Sequence, residues 1–211
     1  WGSKPNNPKT PERIILDLDP APAVPFARVV AAARELKKRL AALGFPVFVK
    51  TTGGKGLHVV IAIRGTAANP VTWPQAKAFA RAVAMGMEED APEHFTSTMA
   101  KKARTGRIFL DYLRNDRMST AVAPLSTRAR AGAPVSMPLN WPQVRRGLDH
   151  MRYTLRSAPA LLARTRPWAD YAAAERSLRA AIDRLTGPPA RRSKGAPAGD
   201  RRSRRASASV A

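Results

Sequence analysis

Cysteine is absent from this 211-residue chain. Disulfides, thiolate metal sites and cysteine nucleophiles are thereby excluded, and the composition fits an intracellular protein. Histidine is almost as scarce: His58, His94 and His150 lie far apart, none at the i, i+4 spacing of a helical zinc site. No apolar run approaches the roughly 18–20 residues of a membrane span, and no signal peptide is visible. Acidic residues are few, 15 against 37 Lys and Arg, which leaves a formal charge of +22. Such an excess points to a polyanionic partner, nucleic acid before anionic membrane. What the chain does have is apolar content: 44% hydrophobic residues, too many for a wholly disordered chain. Its length suits one large domain or two small ones. The first residue is Trp1 rather than Met, so the chain is expected to start inside a longer gene product.

The last 24 residues are rich in Pro, Ala, Arg and Ser and lack apolar periodicity, which predicts a disordered basic tail over 188–211. The tail carries seven Lys/Arg against one Asp, so sixteen of the excess charges belong to the body, residues 1–187. There, strand and helix signals alternate. Ile14–Leu16 begins a strand that Pro20 ends, because proline cannot donate to a ladder. Apolar residues recur at helical spacing from Pro25 to Leu43, and Gly44 closes that helix. Val47–Lys50 and Leu57–Ile63 read as a hairpin with a glycine-rich connection. Trp73–Glu89 is an amphipathic helix with Pro74 in its first turn. Arg107–Leu113 is a further strand, with edge strands expected at Val122–Pro124 and Val135–Met137. Helices are expected at Trp141–Gly147, Ala158–Ala163 and Tyr171–Leu185. This order suggests an α+β or α/β sheet with helices packed on it.

Five features could carry chemistry. Asp17 and Asp19 are two residues apart, so on a strand they share a face and repel one another. A divalent cation relieves that repulsion, and hard oxygen ligands suit magnesium or manganese; the plainer reading is an exposed pair hydrogen-bonded to a turn. Asp111 sits in an otherwise apolar strand, where a carboxylate is costly unless metal-bound or paired with an arginine. The segment Lys50–His58 combines three glycines with Thr52, Lys55 and His58, a set able to converge donors on an anion or to form no more than a turn. It lacks the spacing of a Walker A loop. Arg128 and Arg130 have period-two spacing, which predicts two guanidiniums on one strand face, suited to phosphate or merely to solvent. Lys101, Lys102, Arg104 and Arg107 form a basic loop ahead of the Asp111 strand.

Taken in order, ILDLDP, FVKTTGGKGLHVVIAI, GRIFLDYLRN and TAVAPLSTRARAGAPVSMPLNW resemble the polymerase domain of bacterial DNA ligase D, in the archaeo-eukaryotic primase superfamily. The resemblance covers most of residues 1–155, and the stretch ending in RPWADY looks like that family's C-terminal helical segment. It implies an α+β fold, a primase-like mixed β-sheet palm with packed helices, C-terminal helices and the basic tail. It implies that Asp17, Asp19 and Asp111 are catalytic and hold two Mn2+ or Mg2+ ions. Thr52, Lys55, His58, Arg128 and Arg130 would bind the nucleoside triphosphate, and Arg104 and Arg114 would contact DNA. The implied activity is template-directed nucleotidyl transfer in double-strand break repair by non-homologous end joining. The implied partners are DNA ends with a 5′-phosphate, nucleoside triphosphates, a ligase and a Ku-type end-binding protein, in the cytoplasm with the nucleoid and with no membrane.

The family carries a histidine two residues before the tryptophan matching Trp1, and that position and the portion before it are missing here. Residues 1–187 are therefore expected to be the C-terminal portion of a ligase D-type polymerase domain. With no ligase motif in the tail, the polymerase domain is expected to come last in a longer parent. A catalytically inactive nucleic-acid-binding fragment is the alternative function. A phosphatase of the haloacid dehalogenase class is a third reading, because ILDLDP superficially fits its aspartate motif, but Ala21 stands where that class has threonine or valine.

Overall fold

Strand β1 (Arg13–Pro20) alternates so that Ile14, Leu16 and Leu18 enter the core while Asp17 and Asp19 stay partly exposed on the other face. That alternation fixes which side of the sheet carries helices and which carries charge. The computed structural model describes residues 1–186; the tail expected over 188–211 lies outside the described residues. Helix α1 (Phe26–Ala42) follows β1, then β2 (Phe48–Thr51) and β3 (Leu57–Arg64), then α2 (Trp73–Asp90). A short β4 (Phe95–Thr96), β5 (Ile108–Asp111) and β6 (Pro138–Leu139) come next. Helix α3 (Ala158–Arg164), β7 (Arg176–Ser177) and α4 (Leu178–Thr186) complete the described chain.

The strands form one mixed sheet in the order β4-β5-β1-β3-β2-β6, with β7 joined to β3. Strand β1 is antiparallel to both β3 and β5, whereas β4–β5 and β3–β7 are parallel. Helices α1 and α2 pack on one face, where Val29, Leu36 and Leu40 of α1 and Phe79, Val83 and Met87 of α2 meet Leu57, Val59, Ile61, Ile63, Ile108 and Leu110. Leu178 and Ala181 of α4 join the same core. The N-terminus of α2 is fixed by a capping box, in which Thr72 Oγ1 accepts from the Gln75 N–H and the Gln75 side chain accepts from the Thr72 N–H. The α+β expectation is thus met, with a mixed sheet and helices on one face.

Several element boundaries differ from the sequence reading. The strand expected over Arg107–Leu113 stops at Asp111, because the chain turns there into a 3-10 turn over Leu113–Asn115. Asn115 replaces the missing strand neighbour: its Oδ1 accepts from the Ile15 N–H at 2.8 Å and its Nδ2 donates to the Ile15 carbonyl at 2.7 Å. Val122–Pro124 is irregular, and Val135 makes only an isolated bridge to Thr127, with β6 lying just beyond Met137. Trp141–Gly147 shrinks to a 3-10 turn over Trp141–Gln143, whose indole Nε1 donates to the Val47 carbonyl. The helix expected over Tyr171–Leu185 is divided into a 3-10 turn, β7 and α4. The turn carries Tyr171, which packs with Trp168 against Phe48 on the charged face of the sheet.

Candidate active site

The site is laid out by strand register. Asp17 on β1 stands opposite Asp111 on β5 and opposite His58 on β3, and His58 stands opposite Lys50 on β2. Directly opposed residues point to the same face, so Asp111, Asp17, His58 and Lys50 form a row across four strands. Asp19 lies on the same face two residues beyond Asp17, opposite Phe109.

This row puts charge in a half-buried place, and its ionisation reflects that. Burial alone would lift the Asp17 carboxyl. The hydrogen bond to His58 and the nearby Arg114 and Lys50 outweigh it and hold Asp17 below the usual carboxylate range. Burial and the neighbouring Asp17 charge raise Asp111, against the opposing pull of Arg114 and the Leu113 N–H. The two facing carboxyls are therefore split in proton affinity, as expected of adjacent acids. Burial pushes His58 down, so the imidazole is neutral at pH 7; its Nε2 lies 3.4 Å from Asp17 Oδ2 and its buried Nδ1 has no hydrogen-bond partner. Burial pushes Lys50 to about 7, and its ammonium donates to Ser136 Oγ at 2.8 Å.

Cations stand among the aspartates. Arg114 Nε is 3.0 Å from Asp111 Oδ2 and 3.8 Å from Asp17 Oδ2, so the arginine pairing weighed for Asp111 is present. Lys55 and Arg104 approach Asp19 at 3.6 and 3.4 Å, and Arg104 lies over the Phe109 ring at 3.8 Å. With these cations in place, no three carboxylate or imidazole groups converge on a common point among the described residues. The donor set itself, three hard carboxylates on one sheet face at adjacent register positions, suits Mg2+ or Mn2+.

Across from the acids lies the β2–β3 turn. Thr52 stitches it: its Oγ1 accepts from the Gly54 and Gly56 N–H groups and donates to the Gly56 carbonyl. Glycine is required at two places here. Gly53 has φ +65°, and a Cβ on Gly56 would meet the Leu18 carbonyl oxygen at 2.4 Å. Arg128 and Arg130 are on an irregular loop rather than the strand that their spacing suggested. That loop is held against the hairpin end by reciprocal bonds between Thr51 and residues 135–137. Both arginines still reach the site. Arg128 donates to the Thr52 carbonyl at 3.2 Å, and the Arg130 guanidinium lies over Gly54. A cleft of about 530 Å3 is bounded by Asp17, Asp19, Thr52, Lys55, His58, Arg114, Arg128 and Arg130. Asp111 adjoins it through Arg114, and Arg104 through Asp19. The ten residues singled out in the sequence thus gather in one region. Lys50, named in the sequence only as the start of the Lys50–His58 segment, belongs to its framework with Asn115 and Ser136, which were not singled out.

The fold is an α+β domain whose mixed sheet presents carboxylates beside a cationic, glycine-lined cleft. The chain belongs to the LigD primase-polymerase domain family, whose description matches residues 1–168. It is 38% identical over 194 residues to the multifunctional non-homologous end joining protein LigD of Pseudomonas aeruginosa, covering 89% of this chain and 22% of that protein. It is 31% identical over 147 residues to the bifunctional non-homologous end joining protein LigD of Bacillus subtilis, covering 70% of this chain and 24% of that one. The solved polymerase domain of Mycobacterium tuberculosis ligase D in complex with DNA superposes with a TM-score of 0.67 at 29% identity, over 82% of this chain and 56% of that domain. The chain spans about a fifth of the length of the Pseudomonas relative it matches. Family membership overturns the phosphatase reading.

Proposed function

We propose that this chain carries the nucleotidyl-transfer centre of a polymerase acting on DNA ends in non-homologous end joining, in the cytoplasm with the nucleoid. A primer 3′-oxygen would attack the α-phosphate of a nucleoside triphosphate, forming a phosphodiester bond as the bond to pyrophosphate breaks. The observation that carries the reading is the opposition, across one cleft, of an aspartate row and a cationic glycine turn. Asp17, Asp19 and Asp111 would hold Mg2+ or Mn2+, which supplies Lewis acidity at the phosphate and lowers the pKa of a bound hydroxyl. Arg128, Arg130 and Lys55 would take the triphosphate, with Thr52 keeping the turn in the shape that allows close approach. Neutral His58 would orient Asp17 through its Nε2–H and form part of the cleft wall against which the nucleotide lies. Arg114 occupies the space between Asp17 and Asp111, so it must swing aside when a cation enters, and phosphate is its natural alternative partner. Arg104 would contact the primer strand. A ligase and a Ku-type end-binding protein, the partners implied by the family resemblance, belong to the same proposal.

Primer extension with nucleoside triphosphates and Mn2+ or Mg2+ tests this. Asp17→Ala and Asp111→Ala are expected to abolish nucleotide addition while DNA affinity, read by fluorescence anisotropy, stays within about twofold. DNA binding by the unaltered chain without any addition would favour the inactive-binder reading, and undiminished addition by either variant would overturn the site.

A further inference from the structure

On the side of the sheet opposite the aspartates, α1 turns a second cationic surface to solvent. Its core positions, Val29, Leu36 and Leu40, face the sheet, which leaves Arg34, Lys37 and Lys38 exposed on the outer side. The loop after β6 leans on this helix. Arg34 Nη1 donates to the Val144 carbonyl at 2.9 Å, and Lys37 Nζ lies 4.8 Å from the centre of the Trp141 ring. The next two residues, Arg145 and Arg146, are exposed beside them. A hollow of about 250 Å3 separates the helix from the indole. Among the described residues, none of these five cations has a carboxylate within ion-pair distance. Glu35, beside Arg34 in sequence, pairs with Arg39, and the Asp149 carboxylate, three residues beyond Arg146, accepts from the Met151 N–H rather than pairing with either arginine. Five uncompensated cations drawn from two elements, with a hydrogen bond and a cation–π contact fixing their relation, differ from scattered surface charge.

We infer that this face binds the phosphate backbone of a duplex DNA segment separate from the one served by the cleft. Charge complementarity selects the occupant, because a duplex presents a regular line of phosphates and exposed arginines and lysines neutralise it with release of counterions. The sheet lies between the two surfaces, since α1 covers the face opposite Asp17 and Asp19. One straight duplex therefore cannot touch both. The inference does not rest on nucleotide addition.

The test uses the full chain and a duplex closed by hairpins at both ends, which offers no 3′ terminus to the cleft. Lys38→Glu, Arg145→Glu and Arg146→Glu are combined, leaving the Arg34 and Lys37 contacts intact. A control of equal charge combines Lys9→Glu, Arg81→Glu and Arg164→Glu, all exposed elsewhere. The expected result is at least a tenfold loss of affinity for the closed duplex at low salt. The slope of log K against log salt should shrink by about 2–3, as for three lost phosphate contacts. The control should lose less than threefold, and Lys38→Arg, Arg145→Lys and Arg146→Lys together should retain binding. Primer extension should be unchanged in all three. Equal losses in the patch and control variants, or an unaltered slope in the patch variant, would overturn the inference and leave net charge as the whole effect.

Discussion

Arg128 touches the turn through the Thr52 carbonyl and lines the cleft from a loop that carries no acid. Arg128→Ala is therefore expected to weaken nucleoside triphosphate binding about tenfold or more, the scale of a lost charge-assisted contact, while primer affinity changes little. Titrations of nucleotide and primer against the same variant separate the two, and equal losses would remove Arg128 from the triphosphate role. Lys50 makes a different kind of statement. Its pKa is pushed down to about 7 by burial, against 10.5 in a free side chain. Between those values the unfolded chain binds a proton that the folded chain does not, so this group's contribution to stability rises as pH rises from about 7 to 10.5 and is lost below. Lys50→Met, which keeps the stem but cannot titrate, should flatten that rise by an amount on the order of a few kcal/mol. Denaturant unfolding at pH 7 and pH 9.5 checks it; parallel curves for the two proteins would contradict it. The aspartates and the glycine turn were legible in the sequence because carboxylates in apolar strands and clustered glycines are costly without a purpose. Lys50 was not, because its neighbours His58 and Ser136 are eight and 86 residues away in sequence, and only strand register brings them together.

At the scale of elements, β5 is short and its neighbour β1 is long, and the difference is made up by one side chain. Asn115 pairs with both backbone groups of Ile15 and also donates to the Tyr112 carbonyl. Asn115→Ala would leave the buried Ile15 N–H and carbonyl without partners, at a cost of about 2–4 kcal/mol. The same change would loosen the turn that positions Asp111 and Arg114, so a fall in unfolding free energy should accompany reduced activity. Asn115→Asp keeps one acceptor and loses the donor, and should fall between the two. A fully stable alanine variant would show that water replaces the amide. Long periodic elements such as α1, β3 and α2 were readable from spacing within one or two residues. After Tyr112 only α3 was readable, within one residue; the 3-10 turns, β6 and β7 are two or three residues long, too short for a period to register. Arg128 and Arg130 show the consequence. Their alternation mimics a strand, yet tertiary bonds from Thr51 to residues 135–137 set their position.

For the whole molecule, 37 basic residues stand against 15 acidic ones, and among the described residues two cationic groups lie on opposite sides of one sheet, one in the cleft and one along α1. In the cleft, Lys55, Arg104 and Arg114 pair with the aspartates; on the outer side of α1, Arg34, Lys37 and Lys38 have no ion pair among the described residues. The composition suggested a polyanionic partner, but only the fold separates the cleft proposed for chemistry from the α1 face proposed for binding. Asp17, Asp19 and Asp111 are proposed to act together as a divalent-cation site once Arg114 yields. The most direct measurement is titration of the full chain with Mn2+, followed by the electron paramagnetic resonance signal of the free ion, with nucleoside triphosphate bound. The expected result is saturable Mn2+ uptake beyond that of the nucleotide alone, lost in both Asp17→Asn and Asp111→Asn and retained in Asp116→Asn, which alters an aspartate paired with Lys77 outside the row. Uptake that persists undiminished in the Asp17 and Asp111 variants, or that never exceeds the nucleotide's own, would contradict the shared site.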